Sequence, residues 1–186
     1  AYARALAGAG ARVALFDIAA EAAQKTAGEI GGGAIGMGVD VSDARGMQAA
    51  VDTVQARFGR IDILVSNAAI FADDTAEFQP MAWDVLDGSL EDWRRMRAVN
   101  VEGVLIGARA VLPHMRARRY GRIINQSSIG AFIDGGGIYS MSKLEVANLT
   151  RQLARRVGAD GITVNAIAPG IIATDAVARR PGRTPE

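Results

Sequence analysis

The feature that most constrains this chain is the regular alternation of short, almost continuously apolar runs with longer helix-forming stretches. The apolar runs, which we predict to be β-strands, cover residues 12–16, 34–39, 61–65, 122–125 and 162–167. The stretches between them, which we predict to be helices, cover residues 1–6, 19–30, 43–58, 89–118 and 138–157, with Ser42 and Ser89 as N-caps. Strands without a polar face indicate a parallel sheet that helices cover on both sides. We therefore predict one doubly wound α/β domain with three αβα layers, spanning residues 1–186.

The composition excludes several kinds of site. There is no cysteine, so the chain has no disulfide, no thiol nucleophile and no cysteine-bound metal. Its single histidine, His114, cannot form a metal cluster or a Ser-His-Asp triad by itself, and we predict no metal site. A net charge of +1 indicates no basic surface for nucleic acid, and no apolar run is long enough to cross a membrane. We expect a cytoplasmic protein that binds neither nucleic acid nor membrane.

Polar residues or turn residues follow all five predicted strands. In an open parallel sheet, ligands bind beyond the carboxyl ends of the strands, so these residues are the candidates for a site. They are Asp17, Asp40, Ser66-Asn67, Ser127-Ser128 and Pro169-Gly170. A purely structural sheet would also end in polar loops, and the pattern alone therefore names no ligand. Asp17 in particular has two interpretations, a cap of the following helix or a partner of a ribose, and we favour the ribose.

Tyr139 and Lys143 lie four residues apart near the start of a predicted helix, so their side chains share one face, one turn apart. A free tyrosine has a pKa of about 10 and is a poor base at neutral pH. A nearby ammonium favours the phenolate and lowers that pKa. This spacing therefore suits a tyrosine that acts as general acid and base, although the same spacing is common on exposed helices.

Five motifs in the same order resemble the short-chain dehydrogenase/reductase family, whose members are Rossmann-like and depend on a nicotinamide cofactor. The resemblance covers residues 1 to about 174. In chain order, the motifs are Asp40-Val41, the strand end Asp62 to Ala69, Val99-Asn100-Val101, the pair Ser127-Ser128 ahead of Tyr139-x-x-x-Lys143, and the strand end Asn165 to Gly170. Ser66 and Ala69 replace the more usual Asn and Gly of the second motif, which is a mild departure.

The resemblance implies a catalytic set of four residues. Tyr139 would take the proton from the substrate hydroxyl or give it to the carbonyl in reduction, and Lys143 would lower the pKa of Tyr139 and hold the nicotinamide ribose. Ser128 would orient the substrate oxygen, and Asn100 would hold a water of the proton relay through a local kink in its helix. Because the loop from Ser128 to Tyr139 is short for the family, Ser127 stays open as the alternative serine.

The resemblance also implies how the chain would bind NAD. Asp17 would contact the adenosine ribose, and its carboxylate would repel the 2′-phosphate of NADP because Ile18, rather than a cation, follows it. The other implied cofactor contacts are Asp40, Val41, Asn67, Ala68, Tyr139, Lys143, Pro169, Gly170, Ile172 and Thr174.

The function implied by the resemblance is hydride transfer between a nicotinamide cofactor and a secondary alcohol or ketone, the reaction of an alcohol dehydrogenase or ketone reductase. Two alternatives remain, a non-catalytic dinucleotide-binding module of the same fold and an epimerase or dehydratase that shares the tyrosine–lysine spacing. We expect a homotetramer or a dimer, packed through the helices predicted at 89–118 and 138–157.

The family's first strand and its glycine-rich phosphate loop do not occur within these residues. The glycines of Ala7-Gly8-Ala9-Gly10 do not replace the loop, because they precede a strand, whereas a phosphate loop opens a helix. We therefore expect the 186 residues to be part of a longer chain, lacking the first strand and the C-terminal end of the fold.

Overall fold

The computed structural model describes residues 1–71, 85–86, 88–134 and 136–172. Its α-helices are α1 (Tyr2–Gly8), α2 (Ala20–Ile30), α3 (Ala44–Phe58), α4 (Leu90–Arg97), α5 (Gly103–Ala117) and α6 (Gly137–Val157). Its strands are β1 (Ala14–Asp17), β2 (Ile35–Gly38), β3 (Ile63–Ser66), β4 (Gly121–Gln126) and β5 (Ile162–Ile167). Short 3₁₀ turns follow β4 and α6, at Ile129–Phe132 and Gly158–Asp160. The predicted alternation of strands and helices is confirmed, and none of the described helices is long and apolar enough to span a membrane.

The strands form two parallel ladders. β1 pairs with β2, and β4 lies between β3 and β5, with Ser66 opposite Asn125 and Gln126 opposite Ile167. Because every pair is parallel, the carboxyl ends of the strands in each ladder lie at the same edge. Within the described ranges no strand pairs with both β1 and β3, the two strands that the first strand of a doubly wound sheet would join. The α/β class with parallel sheets is as predicted.

One apolar core contains side chains from both ladders and from the helices that cover them. Met47 and Val51 of α3, Val111 and Met115 of α5, and Ile123 of β4 are buried in it. Phe16 of β1 and Met37 of β2 pack against the same cluster, as does Leu64 of β3. The two ladders therefore share one core, as expected for a single α/β domain.

Local hydrogen bonds set the starts of two helices. Ser89 caps α4 as predicted, because its Oγ accepts a hydrogen bond from the N–H of Asp92 at 3.0 Å. The predicted cap Ser42 is wrong: Asp43 caps α3, accepting from the N–H of Arg45 at 2.9 Å. Ser42 instead donates to the carboxylate of Asp40. Aspartate and serine are about equally good N-caps, so residue type alone could not show which of Ser42 and Asp43 caps α3.

The helix predicted at 89–118 is interrupted by one turn of π-helix, Ala98–Glu102, between α4 and α5. A π turn adds a residue to the helical repeat and changes which side chains face the neighbouring elements. Asn100 lies in the middle of this turn and is fully buried, so the helix is irregular at the residue where the resemblance implies a local kink.

Candidate active site

Tyr139 and Lys143 are brought together at the start of α6. Tyr139 is half-buried in the first turn of the helix, and Lys143 lies one turn later with 2% of its surface exposed. The Lys143 Nζ is 5.6 Å from the centroid of the Tyr139 ring and donates a hydrogen bond to the carbonyl oxygen of Gln126 at 3.0 Å. The carboxyl end of β4 therefore holds the ammonium beside the phenol ring.

Burial changes the acidity of the lysine. Removal of the Lys143 ammonium from water lowers its pKa from 10.5 to about 8. A cation that water does not fully surround interacts more strongly with neighbouring charges and dipoles than one in bulk solvent. The sequence predicted that an ammonium would lie near the tyrosine, but it did not predict that the ammonium would be buried.

The two serines at the end of β4 differ in environment. Ser127 is 2% exposed, and its Oγ donates to the carbonyl oxygen of Lys143 at 2.8 Å. Ser128 is half-buried, and its Oγ accepts from the N–H of Gly130 at 3.1 Å, which leaves the hydroxyl proton available for donation. A Cβ at Gly130 would lie 3.4 Å from the Ser128 Oγ and 4.0 Å from the Tyr139 Cε1, so the serine and the tyrosine border the same small volume.

Asn100 uses its side chain to hold the segment that follows β3. Its Oδ1 accepts from the N–H of Ile70 at 2.7 Å, and its Nδ2 donates to the Ile70 carbonyl oxygen at 2.9 Å. The same Nδ2 donates to the Ser142 Oγ at 3.1 Å. The structure thus connects Asn100 to α6 and to the β3 segment, while its role in holding a water stays a prediction.

Phe71 is a neighbour of the tyrosine that the sequence analysis did not predict. Its ring contacts the Tyr139 ring edge to face, with the centroids 4.6 Å apart and the planes at 85°. Phe71 follows the residue that Asn100 holds, and 42% of its surface is exposed. In the sequence, only its position shortly after Asn67-Ala68-Ala69 places Phe71 near the candidate site, and that position does not predict a contact with Tyr139.

Two carboxylates mark the ends of β1 and β2. Asp17 is exposed, and its Oδ1 accepts from the N–H of Ala19 at 2.9 Å. The Asp40 Oδ1 accepts from both the hydroxyl and the N–H of Ser42, and these hydrogen bonds lower the pKa of Asp40 below its usual value. Each carboxylate is thus oriented through one oxygen. Asp17 does not cap α2, because it accepts from Ala19, which precedes the helix, and α2 has no side-chain cap; the second carboxylate oxygen is left for another partner.

Among the described residues, the remaining predicted cofactor contacts follow the carboxyl ends of β2, β3 and β5. Val41 packs against the start of α5, where a Cβ on Gly103 would lie 2.9 Å from the Val41 Cγ2. The Pro169 carbonyl oxygen accepts from the N–H of Ile129 at 2.9 Å, which joins the loops after β4 and β5. Four further candidates, Asn67, Ala68, Gly170 and Ile172, are exposed. Thr174 lies outside the described residues.

This set of groups fits a nicotinamide dinucleotide. Oriented carboxylates such as Asp17 accept hydrogen bonds from ribose hydroxyls, and an ammonium such as Lys143 donates to them. The ends of parallel strands are also where open α/β sheets bind dinucleotides.

Comparison with known proteins gives one consistent result. The model of a family described as enoyl-(acyl carrier protein) reductase matches residues 1–185. An uncharacterised oxidoreductase of Mycobacterium tuberculosis is 43% identical over 179 residues, covering 95% of this chain and 69% of the relative. A D-threitol dehydrogenase of Mycolicibacterium smegmatis is 38% identical over 171 residues, covering 89% of this chain and 62% of the relative.

A solved structure agrees with these relatives. The crystal structure of a short-chain dehydrogenase from Streptomyces avermitilis matches with a TM-score of 0.78 at 29% identity, covering 94% of this chain and 63% of that one. The chain spans about two thirds of the length of the curated relatives that it matches, for example 65% of a short-chain type dehydrogenase/reductase of Sinorhizobium fredii. From the match along residues 1–185 and the parallel α/β fold, we conclude that this chain belongs to the short-chain dehydrogenase/reductase family.

Proposed function

We propose that this chain carries the active site of an NAD(H)-dependent oxidoreductase that interconverts a secondary alcohol and a ketone. The observation that carries the proposal is the packing of a buried lysine against a half-buried tyrosine at the end of a parallel strand, beside a partly exposed serine. A non-catalytic dinucleotide-binding module would not need Ser128, Tyr139, Lys143 and Asn100 together, so we favour the enzyme over that alternative.

Tyr139 exchanges the proton with the substrate in this proposal. In alcohol oxidation its phenolate accepts the proton of the substrate hydroxyl, and in ketone reduction its hydroxyl gives that proton to the carbonyl oxygen. Ser128 donates its hydroxyl proton to the same substrate oxygen and orients it. When bound, the nicotinamide cofactor supplies or accepts the hydride.

Lys143 has two tasks that its position supports. Its ammonium lies beside the phenol ring, where it favours the phenolate form of Tyr139. The ammonium has three donors, and one of them is used by the Gln126 carbonyl oxygen, so the others are available for a ribose. The epimerase or dehydratase alternative shares this pair, but the serine pair and the Pro169-Gly170 strand end favour the dehydrogenase.

We propose NAD(H) rather than NADP(H) as the cofactor. The exposed Asp17 carboxylate accepts hydrogen bonds from ribose hydroxyls, whereas at about 4 Å it would repel a 2′-phosphate by roughly 4 kcal/mol before screening. Ile18, the next residue, is 77% exposed and offers no compensating charge.

The substrate class and the assembly are also proposals. A D-threitol dehydrogenase is among the relatives, so polyols belong in the panel of secondary alcohols and ketones that should be assayed. We propose a cytoplasmic homodimer or homotetramer packed through α4, α5 and α6. Within one subunit, an ion pair of 3.0 Å between Arg97 and Glu145 joins α4 to α6. Light scattering coupled to size exclusion would determine the number of subunits.

The substitution Tyr139→Phe tests the proposed function. It removes only the hydroxyl, so cofactor affinity should persist while turnover falls by at least about 100-fold, as for the loss of a positioned acid or base. The matched control is Tyr120→Phe, since Tyr120 is an exposed tyrosine outside the site. Both are measured by the absorbance of the reduced nicotinamide and by cofactor titration. Turnover of Tyr139→Phe within a few-fold of the parent would refute the assignment.

A further inference from the structure

A buried chain of hydrogen bonds joins three separate parts of the fold. It begins at the backbone of Ile70, passes through the side chain of Asn100 in the π turn, and reaches the Ser142 Oγ at 3.1 Å. The Ser142 hydroxyl then donates to the carbonyl oxygen of Tyr139 at 2.7 Å. The two side chains that form this series of hydrogen bonds are buried, with 0% of Asn100 and 3% of Ser142 exposed.

Ser142 uses one donor and one acceptor in this arrangement. A serine inside a helix commonly bonds back to a carbonyl of its own helix, as Ser142 does to Tyr139. Ser142 in addition accepts a hydrogen bond from a different element, and it thereby joins Asn100 to the turn that carries Tyr139. Ser140, on the same turn, has a buried hydroxyl with no hydrogen-bond partner in that part of the chain.

The other end of the chain also reaches Tyr139. Ile70, held by Asn100, precedes Phe71, whose ring lies 4.6 Å from the Tyr139 ring. Tyr139 is thus held on its side chain through Phe71 and on its backbone through Ser142, and both routes pass through Asn100. Removal of the Ser142 hydroxyl breaks the connection between Asn100 and the Tyr139 carbonyl oxygen. It also leaves the Nδ2 group of Asn100 with one of its two acceptors, the Ile70 carbonyl oxygen.

We propose that Ser142 is a positioning residue, which fixes the first turn of α6 against the π turn and thereby holds the Tyr139 hydroxyl at a set distance from the Lys143 ammonium. This inference rests on the proposed role of Tyr139. It requires that loss of the Ser142 hydroxyl changes the pKa of Tyr139 and the kcat of the enzyme more than it changes the affinity for the cofactor.

The substitution Ser142→Ala tests the inference, with Thr150→Val as its matched control, because the buried Thr150 hydroxyl on the same helix also donates to a carbonyl oxygen of α6 and accepts from another element, Asn125 of β4. In Ser142→Ala the kcat should fall about tenfold, because a buried hydrogen bond is lost, while the KM for the cofactor changes by less than about threefold. The phenolate absorbance of Tyr139, isolated by subtraction of a Tyr139→Phe titration, should appear at a pH about half a unit higher, because the ammonium is less well placed. Thr150→Val should change neither the kcat nor the phenolate titration.

Ser142→Cys keeps a weak donor and acceptor of similar size and should restore part of the loss, and it replaces Ser142→Ala if that variant does not fold. An unchanged phenolate titration together with an unchanged kcat would overturn the inference, as would an equal loss of kcat in Thr150→Val or a loss confined to the KM. Full activity of Tyr139→Phe would instead refute the proposed function. The phenolate titration requires no substrate and gives a result in every case.

Discussion

Replacement of Lys143 by methionine is expected to stabilise the cofactor-free protein at neutral pH while it abolishes turnover. Burial lowers the pKa of Lys143 from 10.5 to about 8, so the folded state holds this proton less tightly than the unfolded state does. Such a displacement corresponds to roughly 3 kcal/mol that the folded state loses when the lysine is charged in both states. Methionine fills a similar volume without the charge and removes this cost, although the hydrogen bond to Gln126 is also lost.

The sign of the pH dependence follows from the direction of this shift. Below a pH of about 8 the lysine is charged in both states, and the cost of burial is fully present. Between about pH 8 and 10.5 the unfolded state binds more protons than the folded state, so the stability of the parent rises with pH. Relative to Lys143→Met, the parent should therefore gain roughly 2 kcal/mol between about pH 6.5 and 9.5.

The measurement is urea unfolding of the parent and the variant at several pH values, without cofactor. The difference in free energy of unfolding between the two proteins cancels the titration of all groups that the substitution leaves unchanged. Lys25→Met is the control, because Lys25 is exposed on α2 and folding does not bury its ammonium. If the difference for Lys143→Met were as flat as that for Lys25→Met, the ammonium would not be buried in the folded protein and the reasoning would fail.

Three further predictions concern the fold, the serine pair and the cofactor. Gly36→Ala in β2 should destabilise the protein by about 2 kcal/mol, because the new Cβ would lie 2.3 Å from the backbone of α2. Gly28→Ala within α2, where a Cβ meets open space, should stabilise it by about 0.5–1 kcal/mol. Thermal unfolding measures both. Ser128→Ala should lower kcat by about 10- to 100-fold with little change in unfolding temperature. Ser127→Ala should mainly lower the unfolding temperature, because its buried hydrogen bond to the Lys143 carbonyl oxygen is structural. A larger loss of kcat in Ser127→Ala than in Ser128→Ala would assign catalysis to Ser127. The parent should show a higher kcat/KM with NAD than with NADP, and Asp17→Asn should narrow that ratio by about tenfold or more; comparable efficiency of the parent with both cofactors would contradict the role of Asp17.

The strands and most helices could be predicted because their signals are local. The strand Ile162–Ile167 has the predicted bounds, and the helix predicted at 138–157 ends at Val157 as predicted but begins one residue earlier, at Gly137. The face shared by Tyr139 and Lys143 was also predictable, because helical periodicity determines it. The strand ladders follow less directly, because pairing depends on elements far apart in the chain.

The environment of the site could not be predicted in the same way. Asn100 and Ile70 are 30 residues apart, and Asn100 and Ser142 are 42 apart, so their hydrogen bonds exist only after the elements have packed. The burial of Lys143 likewise depends on the end of β4, whose Gln126 carbonyl oxygen receives its proton. Residue types and spacing predict which side chains would do chemistry, whereas tertiary packing determines their exposure and their acidity.

The first two turns of α6 show what directional polar contacts add to apolar packing at the candidate site. Ser127 donates to the Lys143 carbonyl oxygen, the Lys143 ammonium donates to the Gln126 carbonyl oxygen, and Asn100 donates to Ser142. Apolar packing stabilises a helix but is not directional, whereas a hydrogen bond weakens steeply when its angle changes. A proton transfer requires the tyrosine oxygen at a set distance and direction from the substrate, so orientation limits its rate. The buried Lys143 ammonium costs stability, and in the proposed mechanism its place beside the phenol ring favours the phenolate form of Tyr139.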